Sequence, residues 1–312
     1  MAGVSYVGSQ NERLEYAGYA AGSPVPGFDV PGAPTSATNT KWTAAQVDAH
    51  RPQPHIRGNW VYQQDIGYSS FHSLQGKVQR RFANGISTLL SYSWMKSLDI
   101  SSGFANAERG IGNSHIQNYH DLNSNKAVSG YDVPHLLTWG TVAELPFGKG
   151  KRFLSSGIAS KILGNWQMNW MLMARSGQPI TIDMGNADIA NICSACGFTY
   201  MRPDRVQGID PIPARQWDFE WINKAAFTTP VNNFGNAGRG ILRADGVVNV
   251  DFGLQKNVLL KEGWKLEFQA QAFNVFNHID LGNPTTTLTS TTFGRITGIS
   301  HGPRQLDRKS VV

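Results

Sequence analysis

The run Trp264-Lys265-Leu266-Glu267-Phe268-Gln269-Ala270-Gln271-Ala272 alternates apolar and polar residues without a break. A strand sends successive side chains to opposite faces, so Trp264, Leu266 and Phe268 share one face and Lys265, Glu267 and Gln269 the other. The pattern recurs in 247–256, where Val248, Val250, Phe252 and Leu254 alternate with Asn249, Asp251, Gly253 and Gln255. An apolar face of this kind has two possible neighbours. In a soluble β-sandwich it meets a second sheet; in an outer-membrane barrel it meets lipid, and the polar face lines a wet lumen. The barrel reading makes Val248, Val250, Phe252, Leu254, Leu266 and Phe268 lipid-facing and Asp251, Lys265, Glu267 and Gln269 lumen-facing. The alternative is a soluble sandwich that binds carbohydrate, with tryptophans as stacking platforms.

The 312 residues suffice for one large β domain or two smaller ones. Aromatic residues make up 11% of the chain, with nine tryptophans, which suits membrane-interface belts. No apolar run is long enough for a transmembrane helix. The mean hydropathy is slightly negative, but barrel strands are half polar and evade that test. The opening Met1-Ala2-Gly3-Val4-Ser5-Tyr6 has no basic stretch followed by an apolar one, so no secretory signal is read and the chain is expected to be the tail of a longer product or to stay inside the cell. The net charge of +6 is scattered, which argues against nucleic acid as a partner.

Eight strands are predicted, at about 5–7, 68–82, 86–97, 135–145, 165–183, 247–256, 264–277 and 293–306. Turns are expected at Ala83-Asn84-Gly85, at Pro146-Phe147-Gly148-Lys149-Gly150 and at Lys261-Glu262-Gly263. Connections alternate in length: short at 83–85 and 259–263 and moderate at 146–164, against long at 8–67, 98–130 and 184–246 and moderate at 279–292. In an antiparallel meander alternate links fall at alternate ends, so short turns gather at one end and long loops at the other. The fold expected is all-β: an up-and-down partial transmembrane barrel with short periplasmic turns and long external loops. Tyr92, Trp94, Phe147, Trp166, Trp264, Phe273 and Phe276 lie near strand ends, as two interfacial girdles require.

The chemistry-bearing residues form no catalytic constellation, and no enzyme activity, metal or cofactor is expected. There is no nucleophile elbow, zinc-protease helix or phosphate-cradling loop. Cys193 and Cys196 stand alone, too few for zinc, and read as a small loop disulfide. His135 and His278 read as rim residues that hold loops by hydrogen bonds, and Asn274 and Asn277 as turn caps. Asp99, Glu108 and Asp121 are expected to be solvated loop carboxylates.

Several segments in order carry a family resemblance: Arg81-Phe82-Ala83-Asn84-Gly85-Ile86 with Ser91-Tyr92-Ser93-Trp94-Met95-Lys96-Ser97, then His135 with Glu144-Leu145-Pro146-Phe147-Gly148-Lys149-Gly150, then Gly164-Asn165-Trp166-Gln167 with Ser176-Gly177-Gln178-Pro179. Phe234-Gly235-Asn236-Ala237-Gly238-Arg239, Phe273-Asn274-Val275-Phe276-Asn277-His278 and Phe293-Gly294-Arg295-Ile296 follow. The set resembles the C-terminal barrel half of TonB-dependent receptors of the Oar-like type, which carry a carboxypeptidase-regulatory-like N-terminal domain. The resemblance implies an outer-membrane barrel of about 22 strands with a plug, and TonB-energised uptake of an iron chelate, cobalamin, glycan or peptide. It makes residues 1–312 a C-terminal barrel fragment with no plug domain, whose partners are outer-membrane lipid, TonB acting through the missing plug, and a small ligand. The family's last strand continues after Pro-Arg with alternating residues and ends in Phe. Here Pro303-Arg304-Gln305 runs into Leu306-Asp307-Arg308-Lys309-Ser310-Val311-Val312, so a truncated or frame-shifted end is expected.

Overall fold

The computed structural model describes residues 1–18, 62–102, 116–117, 121–185, 201–213, 220–230, 234–261 and 264–311. Strands β1 (Ala2–Gly18), β2 (Tyr62–Ala83) and β3 (Ile86–Asp99) come first, followed by the short β4 (Ala127–Val128) and then β5 (His135–Glu144). Helix α1 (Gly157–Leu163) precedes β6 (Trp166–Arg175). Four two-residue strands follow, β7 (Pro179–Ile180), β8 (Asp204–Arg205), β9 (Phe227–Thr228) and β10 (Leu242–Arg243). The long strands resume with β11 (Val247–Lys261), β12 (Trp264–Phe273) and β13 (Gln305–Val311).

The long strands form one antiparallel sheet in the order β1-β2-β3-β5-β6-β11-β12-β13, with β4 added beside β3. Each long strand therefore pairs with the next long strand in the chain, the meander expected from the alternation of links. The sheet does not close: among the described residues β1 and β13 are each paired along one edge. The β2–β3 hairpin is set by Asn84 and Gly85, which both take positive φ (52° and 80°) between the paired Ala83 and Ile86. Two positive φ values in a two-residue loop define a type I′ turn, whose twist matches the flanking strands. Glu262 and Gly263, the other predicted short turn, lie outside the described residues, as do Glu108, Cys193 and Cys196.

Several strand limits differ from expectation. β1 runs 17 residues instead of three, because its Gly, Ser, Gln and Asn content reads as loop while its backbone is laddered onto β2 from Ala2↔Val78 to Gly18↔Tyr62. The predicted 165–183 strand stops at Arg175. The backbone there crosses another segment so closely that a Cβ on Gly177 would sit 1.7 Å from the Ala244 carbonyl oxygen. β12 ends at Phe273, since Asn274 turns the chain with φ 49°. The last strand is Gln305–Val311, not 293–306, and the unpatterned tail pairs with β12 from Phe273↔Gln305 to Glu267↔Val311.

The main cluster of buried hydrophobic residues lies off the sheet. Ile180, Ile182, Met184, Met201, Ile222, Phe227, Leu242, Leu288 and Phe293 cluster in the links that follow β6 and β12. A smaller cluster of Ile100 and Ile116 packs with Ile66, Tyr68 and Leu122 near the ends of β2 and β3. The described parts of the long connections after β3, β6 and β12 are thus packed structure at one end of the strands.

Candidate functional site

Directly paired residues on neighbouring strands share a face, so the register sorts the sheet into two. One row crosses six strands as Ala2, Val78, Leu90, Trp139, Leu172 and Val250, all apolar. The same side carries Val248 opposite Ala174, Phe252 between Trp170 and Ala272, and Leu254 between Met168 and Ala270. Leu266 faces Val258 and Phe268 faces Lys256. On the opposite side a row runs Glu144, Gln167, Gln255, Gln269 and Lys309, all polar, across five strands. Asp251 and Glu267 lie on that side, and Lys265 holds a register position there. Asp251 accepts from the Asn249 amide (2.9 Å) and from the Asn274 backbone N–H (2.9 Å), tying β11 to the end of β12.

No second layer covers the apolar rows among the described residues. Val248, Phe252 and Phe268 remain 41%, 37% and 45% exposed, which sets aside the sandwich, where they would be core. Three polar side chains on this face are bonded among themselves. Trp139 Nε1–H donates to Thr88 Oγ1 (3.0 Å), which lies 2.6 Å from Thr141 Oγ1 and donates to the Gly140 carbonyl (3.2 Å). An apolar solvent demands that arrangement, because an unpaired hydroxyl there costs several kcal/mol. Toward the long-link end, two tyrosines carry their hydroxyls against histidine rings: Tyr6 to His72 Nδ1 at 2.6 Å and Tyr92 to His135 Nδ1 at 2.8 Å. Toward the short-turn end the Lys256 ammonium lies 4.9 Å from the centre of the Trp166 ring. Of the residues predicted for the girdles, Tyr92, Trp94, Trp166 and Trp264 fall on the apolar face near its two ends, whereas Phe273 pairs with Gln305 on the polar side.

A second constellation was not legible in the sequence. Three arginines of the link between β6 and β11 reach onto the link between β3 and β5. Arg239 pairs with Asp99 (side chains 1% and 7% exposed) and also donates to the Asp99 carbonyl (2.7 Å), Ser102 Oγ (2.9 Å) and the Asn125 carbonyl (3.2 Å). Arg202 donates to the Asn125 side chain, the Ala237 carbonyl (2.8 Å) and the Ser124 carbonyl (3.2 Å). Burial, then the Arg239 guanidinium beside it, pulls the Arg202 pKa down to about 10; it stays charged at neutral pH. Arg243 pairs with the buried Asp132 and donates to the Gly177 carbonyl (3.1 Å). Asp99 is therefore a buried clamp residue, which corrects its reading as solvated. Asp121, exposed, caps a short 3-10 turn by accepting from the Ser124 N–H (3.2 Å).

The link after β12 is tied down in the same way. Asp183 accepts from Thr286 (3.0 Å), Thr287 (2.9 Å) and the Gly185 N–H (2.8 Å). The buried Asp280 accepts from the Val248 N–H (3.1 Å), with His278 Nδ1 at 3.1 Å and His301 Nδ1 at 3.4 Å. Asn274 bridges to the His278 carbonyl (2.8 Å) and Asn277 accepts from the Arg304 N–H (3.0 Å). Arg239 stands in one of the motifs quoted above, but its partners lie far off in the chain, and no spacing announces them. Among the described residues no group of three His, Cys, Asp or Glu is arranged to hold a metal.

A family comparison bears on this geometry. Residues 1–307 match the family model described as outer membrane beta barrel domain. Among solved structures, the outer membrane transporter YddB from Escherichia coli is similar with a TM-score of 0.44 at 11% identity, over 99% of this chain and 29% of that one. The chain thus spans under a third of that transporter's length. No curated protein matches the sequence.

Proposed function

This chain belongs to the outer membrane β-barrel family and resides in the outer membrane, and from that premise we propose that it forms part of the wall of a TonB-dependent receptor of the Oar-like type. The apolar rows face lipid and the polar rows face the lumen. The observation that carries this reading is the register: six strands contribute apolar residues to one row, and five contribute polar residues to a row on the other side. Strand length agrees. β5, β6 and β12 have ten residues each, and a tilted strand needs about 9–11 to cross a bilayer.

In this reading residues 1–312 are the C-terminal portion of the barrel and a plug is supplied by a preceding domain. Inside hydrocarbon, unpaired strand edges are untenable, so further strands complete the wall beside β1 and β13. The protein is a receptor and transporter, not an enzyme. TonB acts through the plug, and the clamped long links form the external surface that a small ligand (an iron chelate, a glycan or a peptide) meets first. The test is uptake in cells carrying the intact receptor, from a panel of iron chelates, cobalamin, glycans and peptides. Uptake of one of them that disappears when TonB is deleted is the expected result. Uptake indifferent to TonB, or none at all, would overturn energised transport.

A further inference from the structure

The connection between β5 and β6 is short for a loop and long for a barrel turn, and it is folded. Phe153 N–H donates to the Pro146 carbonyl (3.0 Å) and Gly148 N–H to the Phe153 carbonyl (3.0 Å). Gly148 and Gly164 meet backbone to backbone: a Cβ on Gly164 would lie 2.7 Å from Gly148 Cα and 2.2 Å from the Ser160 carbonyl oxygen. The carboxyl end of α1 is then fastened to the apolar side of the sheet. Trp166 Nε1–H donates to the Ile162 carbonyl (3.1 Å), and Lys256 Nζ donates to the carbonyls of Lys161 (3.1 Å), Ile162 and Gly164 (3.2 Å). Lys256 sits on that side between Trp166 and Phe268.

This fastened element turns its greasy residues outward. Ile158 is 76% exposed and Ile162 61%, more than Phe252 or Phe268 on the strands. Leu163, Phe153 and Leu154 are exposed beside them. A patch of this kind on a pinned element marks a contact surface. Its charge is one-sided: residues 145–165 hold Lys149, Lys151, Arg152 and Lys161 and no Asp or Glu, and Glu144 just before them is paired with Lys151.

We infer that the 146–165 connection is an interfacial anchor, which lays Ile158 and Ile162 among the acyl chains just below the headgroups and sets Lys149, Arg152 and Lys161 against anionic phospholipid phosphates. Two features select this occupant. The patch continues the apolar face of the sheet at its rim, and the surplus of cations complements an acidic headgroup layer. The inference rests on the lipid-facing assignment made above, and its test separates the two.

The intact receptor that contains this chain is reconstituted into phosphatidylcholine vesicles with and without phosphatidylglycerol, with Cys193→Ser, Cys196→Ser and any other cysteine replaced by serine. An environment-sensitive fluorophore is placed at Ile158→Cys, and in a separate protein at Leu254→Cys on the sheet. The anchor requires blue-shifted emission at the first site, loss of intensity to lipids brominated near the headgroup, and protection from aqueous iodide. Iodide quenching at the first site with lipid quenching at the second overturns the anchor and leaves the barrel wall standing. Iodide quenching at both overturns both. The shift at the first site should also fall when phosphatidylglycerol is omitted or when Lys149→Gln, Arg152→Gln and Lys161→Gln are combined; if it survives both, the assignment to anionic headgroups is wrong. The same label at Ile162→Cys repeats the measurement one helical turn away, so that a local folding defect cannot decide it.

Discussion

Arg239 and Asp99 form an ion pair across 140 residues of chain, with both side chains almost wholly buried. The pair joins the link after β6 to the end of β3, where two long connections meet. Because neither charge reaches water, each depends on the other. Arg239→Met should leave Asp99 uncompensated and cost about 3–5 kcal/mol, whereas the double change with Asp99→Leu should recover much of it. Urea unfolding of the reconstituted protein, with proteolysis of the long links as a local readout, measures both. A single variant as stable as the parent would show that the pair contributes nothing.

The two faces should differ in their tolerance of charge. Leu254 lies on the apolar side between Met168 and Ala270, and its neighbour Gln255 lies on the polar side between Gln167 and Gln269. Leu254→Arg is expected to cost about 2–4 kcal/mol near the bilayer midplane and to reduce the amount of folded protein in outer-membrane fractions. Gln255→Arg should leave that amount nearly unchanged. By the same rule Leu266→Arg should impair insertion and Glu267→Ala should be mild. Equal damage from both members of a pair contradicts the face assignment.

The backbone crossing at Gly177 offers a test of the packed links without touching a charge. A methyl group there would overlap the Ala244 carbonyl at 1.7 Å. Gly177→Ala should therefore cost on the order of 1–3 kcal/mol through forced displacement and expose the links between β6 and β11 to protease. The strands themselves should keep their circular-dichroism signal.

The hydroxyl cluster on the apolar face can be taken apart one bond at a time. Trp139→Phe removes a donor but leaves Thr88 its bond to the Gly140 carbonyl, so a loss of about 1 kcal/mol is expected. Thr88→Val strips Trp139 of its acceptor on the apolar face and should cost more than Trp139→Phe. Thermal unfolding in vesicles distinguishes the two, and the reverse order would indicate that water reaches this cluster.

The sheet was readable where one face had to be apolar. Residues 247–256 and 264–272 alternate cleanly, and the Asn84-Gly85 pair fixes a hairpin by its backbone freedom alone, so pairing, direction and loop asymmetry follow. Legibility failed at both edges. β1 is rich in small polar residues, and β13 puts Leu306 and Arg308 on one side and Asp307 and Lys309 on the other, so neither carries an alternation to detect. The clamps failed for another reason. Arg202, Arg239 and Arg243 take partners 77–140 positions away, and such pairings come from the path of irregular backbone, which leaves no period in the residues. Carboxylates such as Asp99 and Asp132 look like ordinary loop acids until their partners arrive.

Among the described residues the outer borders of β1 and β13 are bare, which constrains how such a wall can be put together. Peptide donors and acceptors lining a rim can be satisfied by water before insertion, yet oil offers them nothing. Docking of adjoining ribbons must then precede or accompany immersion, and a seam left ajar would halt biogenesis at the membrane surface.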